Sequence, residues 1–244
     1  RLAVGVQGVS TGERSMQQAI AYAAERRQGG DPDHPGGPVT IDVHPDVRRT
    51  LADLAATVDA IRMLAFTTSI EGDLAEHHSD EARRDRARRR ADLLTPLTKS
   101  FGTDQGVRLA SIALQVHGGM GFIEETGIAQ RLRDTRIATI YEGTNGIQAI
   151  DLVMRKIVRD RGEALGELLD EVDGSIESAR STDGLGDVCA ELAAASAEAR
   201  RLGQWLIDHH ASDRRAVLTG ATAYQRSEEH TSELQSPMYL VCRL

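Results

Sequence analysis

The sequence predicts an all-α fold, namely an antiparallel helical bundle followed by an additional helical segment. Apolar residues make up 40% of the 244 residues while aromatic residues make up only 3%, and the many alanine, leucine and arginine residues favour helices. Apolar residues also recur at steps of three and four, the spacing of an amphipathic helix. No stretch shows the alternation of apolar and polar residues that is typical of a β-strand.

The first predicted helix covers residues 1–28 and ends at Gly29 and Gly30. Its apolar residues fall near one face of this helix, and these are Leu2, Val6, Met16, Ile20 and Ala23. Residues 29–42 are rich in glycine, proline and aspartate, and this composition predicts a loop.

A second helix is predicted from Pro45 and Asp46, residue types that favour the first turn of a helix. Its apolar residues follow one another at steps of four, three, four, three and four, and they are Val47, Leu51, Leu54, Val58, Ile61 and Ala65. Ser79 is the predicted N-cap of a third helix that continues to about Val116.

Repeated glycine at Gly118, Gly119 and Gly121 predicts a turn, because glycine adopts backbone angles that other residues resist. A short helix is predicted around residues 125–137. Thr144 is the predicted N-cap of the next helix. The apolar residues expected on the inner face of that helix are Ile147, Ile150, Met154 and Ile157.

Composition and charge argue against several classes of protein. The formal net charge of −8 makes nucleic acid an unexpected partner. Six arginines lie between Ala82 and Arg90 on a predicted helix without interleaved aromatic residues, and we interpret them as a solvated helix face. Cys189 and Cys242 form no disulfide framework, and no metal-ligand spacing occurs, so we expect no metal site and a reducing compartment, the cytoplasm. No apolar run is long enough to predict a transmembrane helix.

Two motifs carry the functional prediction. Residues 115–122 read QVHGGMGF and residues 140–148 read IYEGTNGIQ. Together with the first predicted helix, these motifs resemble the carboxy-terminal helical part of the acyl-CoA dehydrogenase family, which consists of flavoprotein oxidoreductases of fatty acid metabolism. Within that family the sequence is most similar to the branch that includes methylthiopropanoyl-CoA dehydrogenase.

The resemblance implies three segments. Residues 1–160 correspond to the family's helical bundle, and residues 161–225 to part of an extra helical domain, in which residues 181–187 predict a loop. The first eleven residues of the segment 226–244 resemble the translation of a sequencing-library adapter, and we interpret this tail as an artefact. The family's amino-terminal helical domain and middle β-domain are absent, so we expect the chain alone to be inactive.

The resemblance also implies the roles of the site residues. A base near the α-carbon is needed to break a C–H bond beside a thioester. By resemblance, Glu142 removes this proton while a hydride leaves the β-carbon for FAD, and Gly143 lets the substrate approach the backbone. Arg26 would contact the FAD of a neighbouring subunit. The full set of residues implied as FAD contacts is Arg26, Gln28, Gln115, Gly118, Gly119, Thr144, Asn145 and Gln148.

Each motif also has a structural interpretation. Glu142 can be a first-turn glutamate favoured by the helix dipole, and the glycines can form a helix C-cap. Arg26 can be a solvated residue near a helix end, and Thr144 can be an N-cap whether or not it touches FAD. We interpret His117 as a helix-end residue without a chemical role.

The resemblance implies acyl-CoA as the substrate, an acceptor such as an electron-transfer flavoprotein, and a homo-oligomer. The alternative is a family relative that is no dehydrogenase and acts as a flavin-binding or DNA-binding helical module. The dehydrogenase interpretation is favoured because the sequence keeps Glu142 and is acidic.

Overall fold

The computed structural model describes residues 1–31 and 36–226, and this part of the chain contains helices and turns but no β-strand. An antiparallel bridge joins Arg27, which follows the first helix, to Thr40 of the predicted loop, of which residues 32–35 lie outside the described residues. The all-α prediction is therefore confirmed. The α-helices are α1 (Leu2–Glu25), α2 (Pro45–His77), α3 (Glu81–Val116), α4 (Gly119–Phe122), α5 (Ile128–Arg136), α6 (Asn145–Asp151), α7 (Glu163–Ala179), α8 (Gly186–His209) and α9 (Arg214–Arg226). Short 3-10 helices span Ile41–Val43, Glu124–Thr126 and Ile137–Thr139, and a π-helix spans Leu152–Ile157.

The structure does not test two of the segment boundaries predicted from the sequence. The predicted artefact at residues 226–244 lies outside the described residues except for Arg226, which ends α9. The boundary between helical domains at residue 160 stays a prediction. Among the described residues, no helix combines the length and apolar character needed to cross a lipid bilayer.

The chain forms two compact units. The amino-terminal unit consists of Ala3–Arg62 and Phe101–Glu142. The carboxy-terminal unit consists of Arg1–Leu2, Met63–Ser100 and the chain from Gly143 onward. Helices α2 and α3 each contribute residues to both units.

The apolar residues that share a face in the sequence pattern of α1 do not form its buried face. Val6 and Ile20 are 40% and 42% exposed, whereas Ala23 is buried. The buried face instead carries mostly small residues, which are Val4, Gly5, Gly8, Val9, Gly12, Ser15, Ala19 and Ala23. A Cβ atom added at Gly8 would lie 2.0 Å from the carbonyl oxygen of Gly102 in α3. Backbone-to-backbone packing therefore takes the place of the expected apolar side chains.

Helices α2 and α3 begin close to where the sequence places them. Leu54, Val58 and Ile61 of the predicted apolar stripe of α2 are fully buried. The N-cap of α3 is Asp80 rather than Ser79, because the Asp80 carboxylate accepts the main-chain N–H of Ala82 at 2.8 Å. A carboxylate at this position also interacts favourably with the positive end of the helix dipole.

The arginine run of α3 is paired with carboxylates inside the carboxy-terminal unit instead of facing only solvent. Arg83 binds Glu71 of α2 through two nitrogens, at 3.0 Å and 3.2 Å. Arg89 binds Glu167 of α7 at 2.6 Å, and Arg90 pairs with Glu171 of the same helix. Ion pairs in this partly exposed setting stabilise a fold by about 1 kcal/mol or less each, so they contribute mainly to the register of α7 on α3.

The predicted loop at residues 181–187 separates α7 from α8, and these helices pack through a buried apolar cluster of Val172, Ile176, Cys189 and Leu192. Helix α9 closes this part of the carboxy-terminal unit with Tyr224. The Tyr224 side chain is 7% exposed, and its hydroxyl donates to the carbonyl oxygen of Ala199 at 3.3 Å.

Burial raises the pKa of the Tyr224 hydroxyl above its ordinary value of 10.0. The folded state therefore keeps the proton at pH values where the unfolded state loses it. This contribution to stability is complete below about pH 10 and is lost as pH rises from there through the folded-state pKa, by about 1.4 kcal/mol per pH unit. We expect urea unfolding between about pH 9 and 11 to show wild type losing stability relative to Tyr224→Phe. Parallel curves for the two proteins would contradict the assignment.

Candidate active site

The backbone turns sharply at Glu142 and Gly143, which have φ angles of 57° and 87°. A positive φ is unfavourable for a residue with a side chain, by about 1 kcal/mol or more, and such strain persists only where neighbouring contacts maintain it. On the upstream side, the Tyr141 N–H donates to the carbonyl oxygen of Ile137 at 3.1 Å, and the Tyr141 hydroxyl donates to the side chain of Gln7. Glu142 itself is exposed. Strain at an exposed acidic residue marks a candidate functional position.

Gly143 is required by its surroundings as well as by its φ angle. A Cβ atom at this position would lie 2.7 Å from Nε2 of Gln148. Gln148 is fully buried, and its Nε2 donates to the carbonyl oxygen of Gly143 at 3.2 Å. The side chain of Gln148 thus reaches back across the first turn of α6 and fixes the residue that follows Glu142.

The start of α6 confirms one structural prediction. The Thr144 hydroxyl accepts the Ile147 N–H at 3.3 Å, so Thr144 is the N-cap. Asn145 is buried, and its Oδ1 accepts a hydrogen bond from Nζ of Lys99 at 2.8 Å. Sequence reasoning missed Lys99; the available signal was a single charged residue in the otherwise uncharged run LTKSFG of α3.

The inner face predicted for α6 is partly wrong. Ile147 and Ile150 are 49% and 37% exposed, whereas Ile157 is buried. The reason is the π-helix that follows α6, in which the Val158 N–H donates to Val153, five residues back. One extra residue in a turn rotates the later side chains by about 100° relative to the earlier ones, so residues spaced for one α-helical face fall on two faces.

A second group of predicted residues surrounds the glycine turn after α3, in the amino-terminal unit. The Gly118 N–H donates to the carbonyl oxygen of Gln115 at 3.0 Å, and Gly118 has a φ angle of 58°. No heavy atom lies within 4 Å of a Cβ added at Gly118 or Gly119, whereas one added at Gly121 would lie 2.3 Å from the oxygen of Leu114. One side of the turn is therefore packed, and the other side leaves the backbone open to a large group.

His117 lies inside this turn and is buried. Its ring stacks on Tyr22 of α1 with the ring centroids 4.3 Å apart, and its Nδ1 lies 2.8 Å from the carbonyl oxygen of Ala113. These contacts give His117 a structural role and join the end of α1 to the glycine turn. The stacking was not foreseen, because nothing in the spacing of the two residues indicates it.

Arg26 and Gln28 follow the end of α1 and are both exposed. The carbonyl oxygen of Arg26 accepts the Ile41 N–H at 2.8 Å, and the Gln28 N–H donates to Val39 at 2.9 Å. Their main chains are therefore fixed by hydrogen bonds to residues 39–41, while their side chains are exposed to solvent. An exposed arginine on a fixed backbone suits the binding of a phosphate.

The predicted site residues divide between the two units. The amino-terminal unit holds Arg26, Gln28, Gln115, Gly118, Gly119 and Glu142, and the carboxy-terminal unit holds Gly143, Thr144, Asn145 and Gln148. In the second set, Gln148 donates to the carbonyl oxygen of Gly143 through its side chain and to that of Thr144 through its main chain. Within the described ranges, no group of three or more His, Cys, Asp and Glu side chains is arranged to hold a metal ion.

Comparison with known proteins agrees with the motifs. A family model described as the acyl-CoA dehydrogenase C-terminal domain matches residues 1–157. The chain is 44% identical over 213 residues to the 3-methylmercaptopropionyl-CoA dehydrogenase of Ruegeria pomeroyi, covering 87% of this chain and 34% of that protein. It is 36% identical over 185 residues to the broad-specificity linear acyl-CoA dehydrogenase FadE5 of Mycobacterium tuberculosis, covering 73% of this chain and 30% of that protein.

A solved structure gives the same fold. The crystal structure of an acyl-CoA dehydrogenase complexed with FAD from Bacillus anthracis matches with a TM-score of 0.63 and 21% identity, covering 91% of this chain and 38% of that one. The resemblance predicted from the two motifs, including its branch, is confirmed. The chain spans about a third of the length of the curated relatives that it matches.

Proposed function

Because the chain belongs to the acyl-CoA dehydrogenase family, we propose that it forms the carboxy-terminal helical part of an enzyme that introduces an α,β double bond into an acyl-CoA thioester. The matched residues make up 34% and 30% of the two relatives, so the activity is proposed for a full-length polypeptide that carries this chain. The observation that carries the proposal is Glu142 on a strained, left-handed backbone directly before Gly143.

In the proposed reaction, the Glu142 carboxylate accepts the proton from the α-carbon of the substrate. The main-chain N–H of Glu142 donates to the thioester oxygen and stabilises the negative charge that develops there. Gly143 lets the substrate approach the backbone, because glycine carries no side chain. The hydrogen bonds at the start of α6 keep the base in place during proton transfer.

The proposed cofactor is FAD, which when bound accepts the hydride that leaves the β-carbon. The open side of the turn at Gly118 and Gly119 fits the close approach of a phosphate or an adenine to the main chain. Gln115 stands at the same turn, and Arg26 with Gln28 would hold the dinucleotide of a neighbouring subunit. Thr144, Asn145 and Gln148 are also proposed as FAD contacts, besides the structural roles that their hydrogen bonds give them.

The proposed partners follow from the family. The substrate is an acyl-CoA, and the Ruegeria relative suggests a short acyl chain with a thioether sulfur. An electron-transfer flavoprotein is the proposed acceptor, and the enzyme is proposed to be a homo-oligomer because Arg26 would serve a neighbouring subunit. The cytoplasm is the proposed compartment, since Cys189 is a buried free thiol.

The alternative function, a DNA-binding helical module, requires an organised basic surface. The basic run of this chain does not provide one, because Arg83, Arg89 and Arg90 are engaged by carboxylates of α2 and α7. The dehydrogenase proposal is therefore the better supported of the two.

The test of the proposal is anaerobic reduction of the flavin in the full-length protein by a panel of acyl-CoA thioesters. We expect 3-methylmercaptopropionyl-CoA and short linear acyl-CoAs to bleach the flavin absorbance. The 244-residue chain alone is expected to show no thioester-dependent bleaching. If the full-length protein binds flavin but no thioester bleaches it, the dehydrogenase proposal fails and the binding-module alternative takes its place.

A further inference from the structure

Lys99 lies in the middle of α3 and is completely buried. All residues from 96 to 103 are buried as well. Lysine is rarely buried in this way, because removing an ammonium group from water is costly unless it is hydrogen-bonded. An apolar residue would fill the same space without the free-energy cost of removing an ammonium group from water, so the buried amine needs an explanation.

The contacts of Lys99 are directed at the first residue of α6. Its Nζ donates to Oδ1 of Asn145 at 2.8 Å, and Nδ2 of Asn145 donates to the carbonyl oxygen of Ser100 at 3.3 Å. Lys99 and Ser100, which are consecutive in α3, thus bind the oxygen and the nitrogen of the Asn145 side-chain amide. All three residues belong to the carboxy-terminal unit.

Asn145 is three residues after Glu142, and the residues between them include the strained turn. The left-handed angles of Glu142 and Gly143 can persist only if the chain on either side is fixed. Upstream, the Tyr141 hydroxyl is held by Gln7, and downstream, Gln148 fixes Gly143. The hydrogen bonds of Asn145 to Lys99 and Ser100 attach the start of α6 to the long helix α3.

We propose that Lys99 is a positioning residue for the proposed base: through Asn145 it fixes the segment that carries Glu142 so that the carboxylate meets the α-carbon of the substrate. This inference rests on the proposed function. Lys99 touches neither substrate nor reacting atoms in this scheme, and it acts only on the geometry of proton transfer. A small displacement of a base is sufficient to slow proton transfer by about a hundredfold.

The test isolates proton removal from hydride transfer. A thioester with sulfur in place of its β-carbon can lose an α-proton to Glu142, leaving the electron pair as an enolate, but it has no β-hydride to transfer. Enolate formation in the full-length flavoprotein is followed by stopped-flow absorbance at long wavelength. For Lys99→Met we expect the rate to fall by about a hundredfold, with the flavin content and the KM for a true substrate unchanged.

Thr98→Val is the matched control. Thr98 is the neighbour of Lys99, is 1% exposed, and bonds the hydroxyl of Thr68 at 2.6 Å, so the variant also removes a buried polar contact of α3. It does not touch Asn145, and we expect it to lower stability while leaving the rate within about threefold of wild type. A Lys99→Met enzyme with full flavin content and the wild-type rate would refute the positioning role.

Should Lys99→Met lose its flavin or fail to fold, the double variant Lys99→Met/Asn145→Leu replaces both polar partners by apolar groups and leaves neither unpaired. Because Asn145 is itself a proposed FAD contact, the flavin-loaded double variant is compared with Asn145→Leu alone. Equal rates below that of wild type support the inference, since Lys99 acts through Asn145, and a wild-type rate or a further slowing in the double variant overturns it. Failure of the proposed function gives a different result, because wild type itself would then form no enolate with any thioester.

Discussion

Glu142→Gln in the full-length flavoprotein is expected to slow reduction of the flavin by acyl-CoA by about two to four orders of magnitude, the usual contribution of a general base. The amide has the shape of the carboxylate and keeps the same backbone, but it cannot accept the α-proton. Substrate affinity should change little, since the main-chain N–H that is proposed to bind the thioester oxygen is retained. The loss should therefore appear in kcat rather than in KM.

The rate is measured by anaerobic stopped-flow absorbance at equal flavin content. Glu125→Gln is a suitable control, because Glu125 is an exposed acidic residue of the same unit outside the proposed site. We expect that control to reduce at the wild-type rate. Wild-type kinetics in Glu142→Gln would remove Glu142 from the mechanism and leave the structural interpretation of this residue.

The second large effect is expected at the contact between α1 and α3. Gly8→Ala places a methyl group 2.0 Å from the carbonyl oxygen of Gly102. No rotamer change can relieve this contact, because the backbone of each helix sets the position of its atom. The helices must move apart, and the packing along the buried face of α1 is then lost. We expect the free energy of unfolding to fall by about 3 kcal/mol or more, at the upper end for overpacked cores.

Urea unfolding of the variant and of Gly72→Ala provides the comparison. Gly72 is also a helical glycine, but nothing lies within 4 Å of a Cβ added there. Alanine at this position should raise stability by up to about 1 kcal/mol, because it has the higher helix propensity. Equal stability of Gly8→Ala and wild type would mean that α1 and α3 can separate without loss, contrary to the packing described above.

The helices of this chain could be predicted from the sequence where burial depends on apolar side chains. The stripe from Leu54 to Ile61 lies at helical spacing, and it is buried. The buried face of α1 could not be predicted in this way, because glycine does not appear in an apolar pattern. Gly8 nevertheless packs directly against Gly102 of α3. The prediction also failed for Ile147, because the spacing rule assumes an α-helix and the chain forms a π-helix from Leu152 onward.

The candidate site shows the same division. The turn at Gly143 and the cap at Thr144 could be predicted, since each depends on residues close by in sequence. Lys99 could not, because it meets Asn145 across 46 residues, and no local pattern records such a contact. Long-range hydrogen bonds between buried polar groups are fixed only when the helices have packed.

The π-helix at Leu152–Ile157 has a consequence for comparing sequences. It acts as a one-residue insertion whose extra length is absorbed inside a helix, where no loop marks it. A relative with an ordinary α-helix in this place should align with a single gap between residues 152 and 157, just before the turn at residues 158–162. If residues of such a relative are numbered forward from Glu142 without the gap, every position beyond it is matched to the wrong residue of this chain. Mutational results from the relative would then be assigned to the wrong face of the helix.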